Sequence, residues 1–143
     1  MAEQPSGSLN MLLVEPETLL RRTVSLTART LGLGQIHEAS STEAAQRLLR
    51  SQPFQGAVIA IDCEGPDDCP YDLSLLDQIR AGDSASPDSL PVAILADHAT
   101  TQLLRELHQR KVDQLILKPF RARLLLEAFA AFEALNPAPK ASK

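Results

Sequence analysis

One short apolar run in this chain ends abruptly in a carboxylate. Ala57-Val58-Ile59-Ala60-Ile61-Asp62 is β-branched at Val58, Ile59 and Ile61 and too brief for a lone helix. Such a run reads as a strand buried on both faces, at the centre of a parallel sheet. Open α/β sheets bind their ligands outside the carboxyl ends of the strands, which is where Asp62 stands. Aspartate also opens loops on its own account, so on this run alone Asp62 reads equally as a turn residue. Two further charged groups follow apolar runs in the same manner. Glu15-Pro16-Glu17 follows the first run and Lys118-Pro119-Phe120 follows the last. Cys63 and Cys69 lie six apart in one loop. They read as free thiols, since a zinc site would want a histidine nearby in sequence. His37, His98 and His108 fall in different elements and read as surface or edge residues.

The elements that must position these groups alternate regularly. Leu9–Val14 reads as a strand, and Pro16 fits the first turn of the helix that follows, with Glu15 and Glu17 favouring its dipole. Leu20, Val24, Ala28 and Leu31 recur at helical period until Gly32 and Gly34 end the helix. Gln35–Ala39 offers a second strand, and Ser40 with Glu43 has the spacing of a capping box for a helix over Thr42–Ser51, with Ala45, Leu48 and Leu49 inward. After Asp62 an Asp/Glu/Gly/Pro-rich loop runs to Tyr71. A helix over about Asp72–Ala81 buries Leu73, Leu76 and Ile79. Pro91 introduces a strand, Val92–Leu95, that ends at Ala96-Asp97. Thr100–Arg110 is helical but polar, anchored by Leu103, Leu104 and Leu107. Asp113–Leu117 is the fifth strand, and Arg121–Leu135 is a helix with Leu125, Phe129 and Phe132 on one stripe. Alternation of strands and helices through short loops means βα units, a parallel sheet and helices on both faces. The expected fold is a doubly wound, five-stranded, flavodoxin-like α/β domain over residues 9–135, with disordered tails at 1–8 and 136–143.

The chain has 143 residues, enough for one domain with a proper core. It has four Phe, one Tyr and no Trp, so aliphatic residues must fill the interior. A net charge of −4 argues against a nucleic-acid surface and supplies no polybasic membrane patch. No apolar run approaches the roughly 20 residues that span a bilayer, and residues 1–8 lack the order of a signal peptide. The expected location is the cytoplasm.

In this order, each at a strand end, the charged markers resemble those of the receiver domain of two-component response regulators. The resemblance runs from about Leu9 to Leu135. It rests on Glu15 in Leu-Val-Glu-Pro-Glu, Asp62 with Pro66 four residues later, Leu90-Pro91-Val92, and Lys118-Pro119-Phe120 twenty-two residues beyond Ala96. It implies that Asp62 accepts a phosphoryl group from a phosphohistidine donor and that Lys118 pairs with the phosphoryl oxygens. It also implies a magnesium ion held by Glu15, Asp62 and the backbone carbonyl of Glu64, and a cis bond between Lys118 and Pro119. Phosphoryl transfer asks a protein for little beyond such positioning and charge neutralisation.

Several positions depart from the pattern. Pro16 stands where the family places a direct metal ligand, so magnesium binding is expected to be weakened. Ala96 stands at the hydroxyl position and Leu115 at the aromatic switch position, which leaves phosphorylation without an evident two-state element to bias. Lys111 replaces a glycine at the end of the fourth helix, Asp72 replaces a glycine in the acceptor loop, and that loop is about two residues longer than usual. Glu17 is a further candidate ligand, or simply a first-turn acid. Asp67 and Asp68 could turn toward the site or form a solvated acidic loop. Asp62 beside Lys118 could equally be an ion pair left in a retired pocket.

The leading expectation is therefore an atypical receiver acting as a signalling interaction module and not an enzyme. Its partners would be a histidine kinase or phosphotransfer protein, a downstream signalling protein, or both. A second copy could also bind through the fourth helix, fifth strand and fifth helix, framed by Leu103, Leu107, Arg105, Arg110, Arg121 and Arg123. The alternative is a working phosphoacceptor at Asp62. A flavin or nucleotide enzyme on the same fold is disfavoured. Glu15-Pro16-Glu17 would repel phosphate, and Gly32-x-Gly34 follows a helix where a phosphate loop follows a strand.

Overall fold

The computed structural model describes residues 9–62, 71–118 and 122–135. Within them β1 (Asn10–Val14), β2 (Gln35–Ala39), β3 (Gly56–Ala60), β4 (Val92–Ala96) and β5 (Gln114–Leu117) alternate with α1 (Thr18–Thr30), α2 (Thr42–Ser51), α3 (Ser74–Arg80), α4 (Thr101–Gln109) and α5 (Ala122–Leu135). All strand pairs are parallel, in the order β2-β1-β3-β4-β5. This is the doubly wound, flavodoxin-like order, whose switch point lies between β1 and β3. The tails expected at the two ends lie outside the described residues.

Side-chain alternation along each strand divides the core into two layers. Met11 and Leu13 of β1, Val58 of β3 and Ile116 of β5 pack beneath α1 and α5. Leu12, Val14, Ile59 and Ile94 point the other way, toward α2, α3 and α4. The central strands are therefore apolar on both faces, as the unbroken Ala-Val-Ile run requires. Gly56 opens β3 because a Cβ there would overlap the Phe132 ring of α5, which stands edge-on to Phe129 with centroids 6.2 Å apart.

Several local expectations are corrected. β3 stops at Ala60, and Asp62 lies two residues beyond it, in an isolated antiparallel bridge to Tyr71. Glu17 is the residue before the first turn of α1, so Pro16 lies outside the helix and neither acid is within its first turn. Ser41, not Ser40, caps α2, its Oγ accepting from the Ala44 amide at 3.2 Å. Leu31 and Leu104 are 61% and 49% exposed, so neither belongs to a buried stripe. Leu31 lies past the last turn of α1, and Leu104 is turned about 100° from the buried Leu103–Leu107 pair.

The end of α4 carries backbone strain. Val112 N–H donates to Leu107 O at 3.1 Å and Lys111 N–H to His108 O at 3.0 Å, the two bonds of a Schellman cap. The motif needs a left-handed residue, and Lys111 fills it at φ 58°. Arg80 reinforces the same turn, its guanidinium donating to the carbonyls of Arg110 at 2.7 Å and Lys111 at 3.1 Å. It also reaches Leu90 O at 2.8 Å, which ties α3 to the start of β4. A lysine with a Cβ is costly in this conformation, so Lys111→Gly is expected to raise stability by about 1 kcal/mol. Urea titration should show the midpoint rising at unchanged slope.

His37 sits on the edge strand β2 in a fixed tautomer. Gln52 Nε2 donates to its Nδ1 at 3.2 Å, so Nε2–H donates to Asn10 Oδ1 at 3.1 Å. Its ring meets Phe54 edge-on at 5.5 Å, and burial lowers its pKa below 6.5. A histidine whose folded pKa is depressed contributes stability above its unfolded pKa and loses it as pH falls through the folded value. Replacing His37 with Gln should therefore flatten the fall in stability between about pH 6.5 and 5, measured by urea midpoints across that range.

Candidate functional site

The carboxyl ends of β1, β3 and β5 bring three charged side chains together. Glu15 follows β1 directly, and its own amide continues the ladder by donating to Ala39 O at 3.0 Å. Lys118 follows β5, its amide donating to Ala96 O at 2.9 Å. Asp62 lies beyond β3, held by the Ile61 amide on Leu95 O at 3.1 Å and the Asp72 amide on Ile61 O at 2.8 Å. Lys118 Nζ stands 3.3 Å from Asp62 Oδ2 and 3.8 Å from Glu15 Oε1. Burial works against the ammonium, but the negative charges of Glu15, Asp62 and Asp97 outweigh it and raise the Lys118 pKa above the ordinary lysine value.

The two carboxylates are held differently. Glu15 is 1% exposed, and its Oε2 accepts from the Glu17 amide at 2.9 Å. Asp62 Oδ1 accepts from the Asp97 amide, just past β4, at 2.9 Å. The remaining oxygens, Glu15 Oε1 and Asp62 Oδ2, are buried and meet no donor in hydrogen-bond geometry among the described residues. Lys118 lies close to both, so two carboxylates share one ammonium. Buried anionic oxygens in this condition attract a cation.

Magnesium fits this donor set in part. It is a hard cation that retains most of its water and takes one or two carboxylates from a protein. Glu15 and Asp62 would hold it, and it would offset the charge of an anion brought to Asp62. Pro16 is exposed and offers no donor, while Glu17 is exposed on the rim. Among the described residues no group of three or more His, Cys, Asp or Glu is placed to hold a metal ion. Glu64, Asp67, Asp68, Cys63, Cys69 and the Lys118–Pro119 bond lie outside the described residues.

The other expected positions are clear. Ala96 ends β4 with its methyl buried, one residue before the amide that holds Asp62. Leu115 is partly buried against the α2–α4 core layer. Asp72 has a local task, its Oδ1 accepting from the Ser74 amide at 2.8 Å ahead of α3. Sequence reasoning missed Arg21. Its Nη1 donates to Glu15 O at 2.9 Å while its Nε pairs with Glu38 Oε1 at 3.0 Å, steadying the Glu15 backbone from α1 and β2. An arginine one turn into a helix carries no mark of such a task, because its partner on β2 is fixed only by sheet register.

Solved structures share this fold. The receiver domain of a Francisella response regulator matches with a TM-score of 0.71 at 17% identity, over 90% of this chain and 98% of its own. The non-phosphorylated HemR receiver domain of Leptospira biflexa matches with a TM-score of 0.71 at 21% identity, over 87% and 93%. The receiver domain of a Pseudomonas aeruginosa sensor histidine kinase, which has magnesium coordinated in its active-site cleft, matches with a TM-score of 0.66 at 20% identity, over 89% and 98%. No family model and no curated protein sequence matches the chain. The chain thus has the receiver fold.

Removing the shared cation tests the pocket. Lys118 is 26% exposed, so Lys118→Met should cost about 2 kcal/mol, below the range for a fully buried pair. Millimolar magnesium should restore more stability to the variant than it adds to the parent, because the variant has lost the competing ammonium. Urea midpoints with and without magnesium measure both effects. Equal magnesium increments in the two proteins would count against a cation site between Glu15 and Asp62.

Proposed function

We propose that this chain is an atypical receiver module of two-component signalling whose task is interaction and whose Asp62 pocket drives no conformational switch. The observation that carries this is Ala96, a buried methyl one residue before the amide that holds Asp62 in the Glu15–Asp62–Lys118 cluster. A phosphoryl group on Asp62 would carry about two negative charges, of which Lys118 answers one. No hydroxyl at position 96 could follow that group. Leu115 has no polar tip and packs into the core layer. With Pro16 in place of a carboxylate, magnesium would be held by Glu15 and Asp62, with the Glu64 carbonyl and Glu17 as further candidate donors.

The surface proposed for partners is formed by α4, β5 and α5. Leu103 and Leu107 belong to the core, so among the described residues the exposed large apolar side chains there are Leu104, Leu117 and Leu124, beside Arg105 and Arg123. A histidine kinase, a phosphotransfer protein, a downstream signalling protein or a second copy would meet this face. No helix of the described residues is long and apolar enough to cross a membrane.

A second reading keeps Asp62 as a working phosphoacceptor. Asp62 Oδ2, buried and 3.3 Å from the Lys118 ammonium, favours it. Amide NMR with beryllofluoride and magnesium separates the two. The interaction module predicts shifts confined to the surroundings of Glu15, Asp62, Asp97 and Lys118, or none. Large, magnesium-dependent shifts across Thr100–Arg110 and Asp113–Leu117 would establish a live switch and replace the first reading with the second.

A further inference from the structure

Helix α4 buries only Leu103 and Leu107, so apolar packing alone fixes it loosely and its polar ties decide where it sits. One of those ties comes from the Asp62 segment. Tyr71, the chain's single tyrosine, pairs through its backbone with Asp62 in the isolated antiparallel bridge. Its ring packs on the same core layer as Leu115, and its hydroxyl donates to Glu106 Oε2 of α4 at 3.2 Å. Gln102 Nε2 donates to that same oxygen at 3.0 Å, which orients the carboxylate toward Tyr71. One turn further along, Arg110 Nε donates to Asp77 Oδ1 of α3 at 2.6 Å and its Nη1 lies 3.8 Å from Glu106 Oε1. Burial first, then the Glu106 carboxylate, raise the Tyr71 pKa, so the phenol stays protonated as the donor at neutral pH.

We propose that Tyr71 is a fixed strut between the Asp62 segment and α4, and that it holds the α4 face in one position. It supplies an aromatic hydroxyl from the β3 side of the sheet, where β5 offers only Leu115. The functional meaning rests on the interaction-module reading: a strut of this kind presents α4 to a partner without input from Asp62. The strut itself does not depend on Asp62 chemistry.

Native-state amide hydrogen exchange on the full chain, without phosphodonor or metal, tests the strut apart from that reading. Tyr71→Phe removes only the hydroxyl, and losing one net hydrogen bond should speed exchange across Leu103–Arg110 about fivefold to tenfold. Amides of β1 and β3 should keep their rates. Glu106→Ala should speed the same helix at least as much, and adding Tyr71→Phe to it should have less effect than in the parent, since the bond they share is already gone. Unchanged α4 rates in Tyr71→Phe would overturn the proposal. So would multiplicative effects in the double variant, or an equal acceleration of β1 and β3, which marks a global loss of stability.

Discussion

One ammonium between two carboxylates governs the carboxyl edge of this sheet. Lys118 lies within 4 Å of both Glu15 and Asp62, and each carboxylate keeps one buried oxygen that no other described residue satisfies. Placing the three groups requires three strands to end in register. The Ala39, Leu95 and Ala96 carbonyls receive the amides of Glu15, Ile61 and Lys118 in turn. The doubly apolar β1, β3 and β4 are what make that register rigid, since a slip of one residue would turn every buried side chain to the wrong layer. The chemistry at the edge thus depends on the hydrophobic core, and the core in turn tolerates the charges only because they compensate one another.

The far side of the domain is held by a different kind of force. α1 and α5 cover their face of the sheet with aliphatic and phenylalanine side chains, an ordinary packed layer. α4 contributes two leucines and is otherwise tied by Tyr71, Asp77 and Arg80. Polar ties of about 1 kcal/mol each are individually weak, yet they are directional and fix position where apolar burial does not. A helix held in this manner can be exposed and still keep one orientation, which suits a surface that a partner must recognise.

Much of this architecture was legible in the sequence, because strand period, helix period and turn residues agreed at nearly every element. The alternation from Asn10 to Leu135 follows from that agreement, and so does the convergence of Glu15, Asp62 and Lys118, since parallel strands put all their carboxyl ends on one edge. What failed was finer. Ser40 and Glu43 had capping-box spacing, but helix α2 starts one residue later than that spacing implies and Ser41 takes the cap. Leu31 and Leu104 matched a helical stripe by type, and only the true helix end and phase show them turned outward. Arg21–Glu38 and Tyr71–Glu106 had no sequence signal, for each joins elements whose relative placement comes from packing.

On the proposed reading, the residues around Asp62 are physically consistent with one another. Pro16 adds no carboxylate to this edge, so Lys118 faces two acids, Glu15 and Asp62, and offsets one of their two charges. The pocket therefore keeps a net negative charge, which favours a cation and, without one, opposes an incoming phosphoryl donor. On that reading Ala96 and Leu115 are no further loss, because a hydroxyl that follows a phosphoryl group is useful only where that group arrives. Leu103 and Leu107 alone would fix α4 loosely, and its ties to Asp77, Arg80 and Tyr71 keep its face defined. Tyr71 supplies one of these ties, pairing through its backbone with Asp62 and through its hydroxyl with Glu106 of α4.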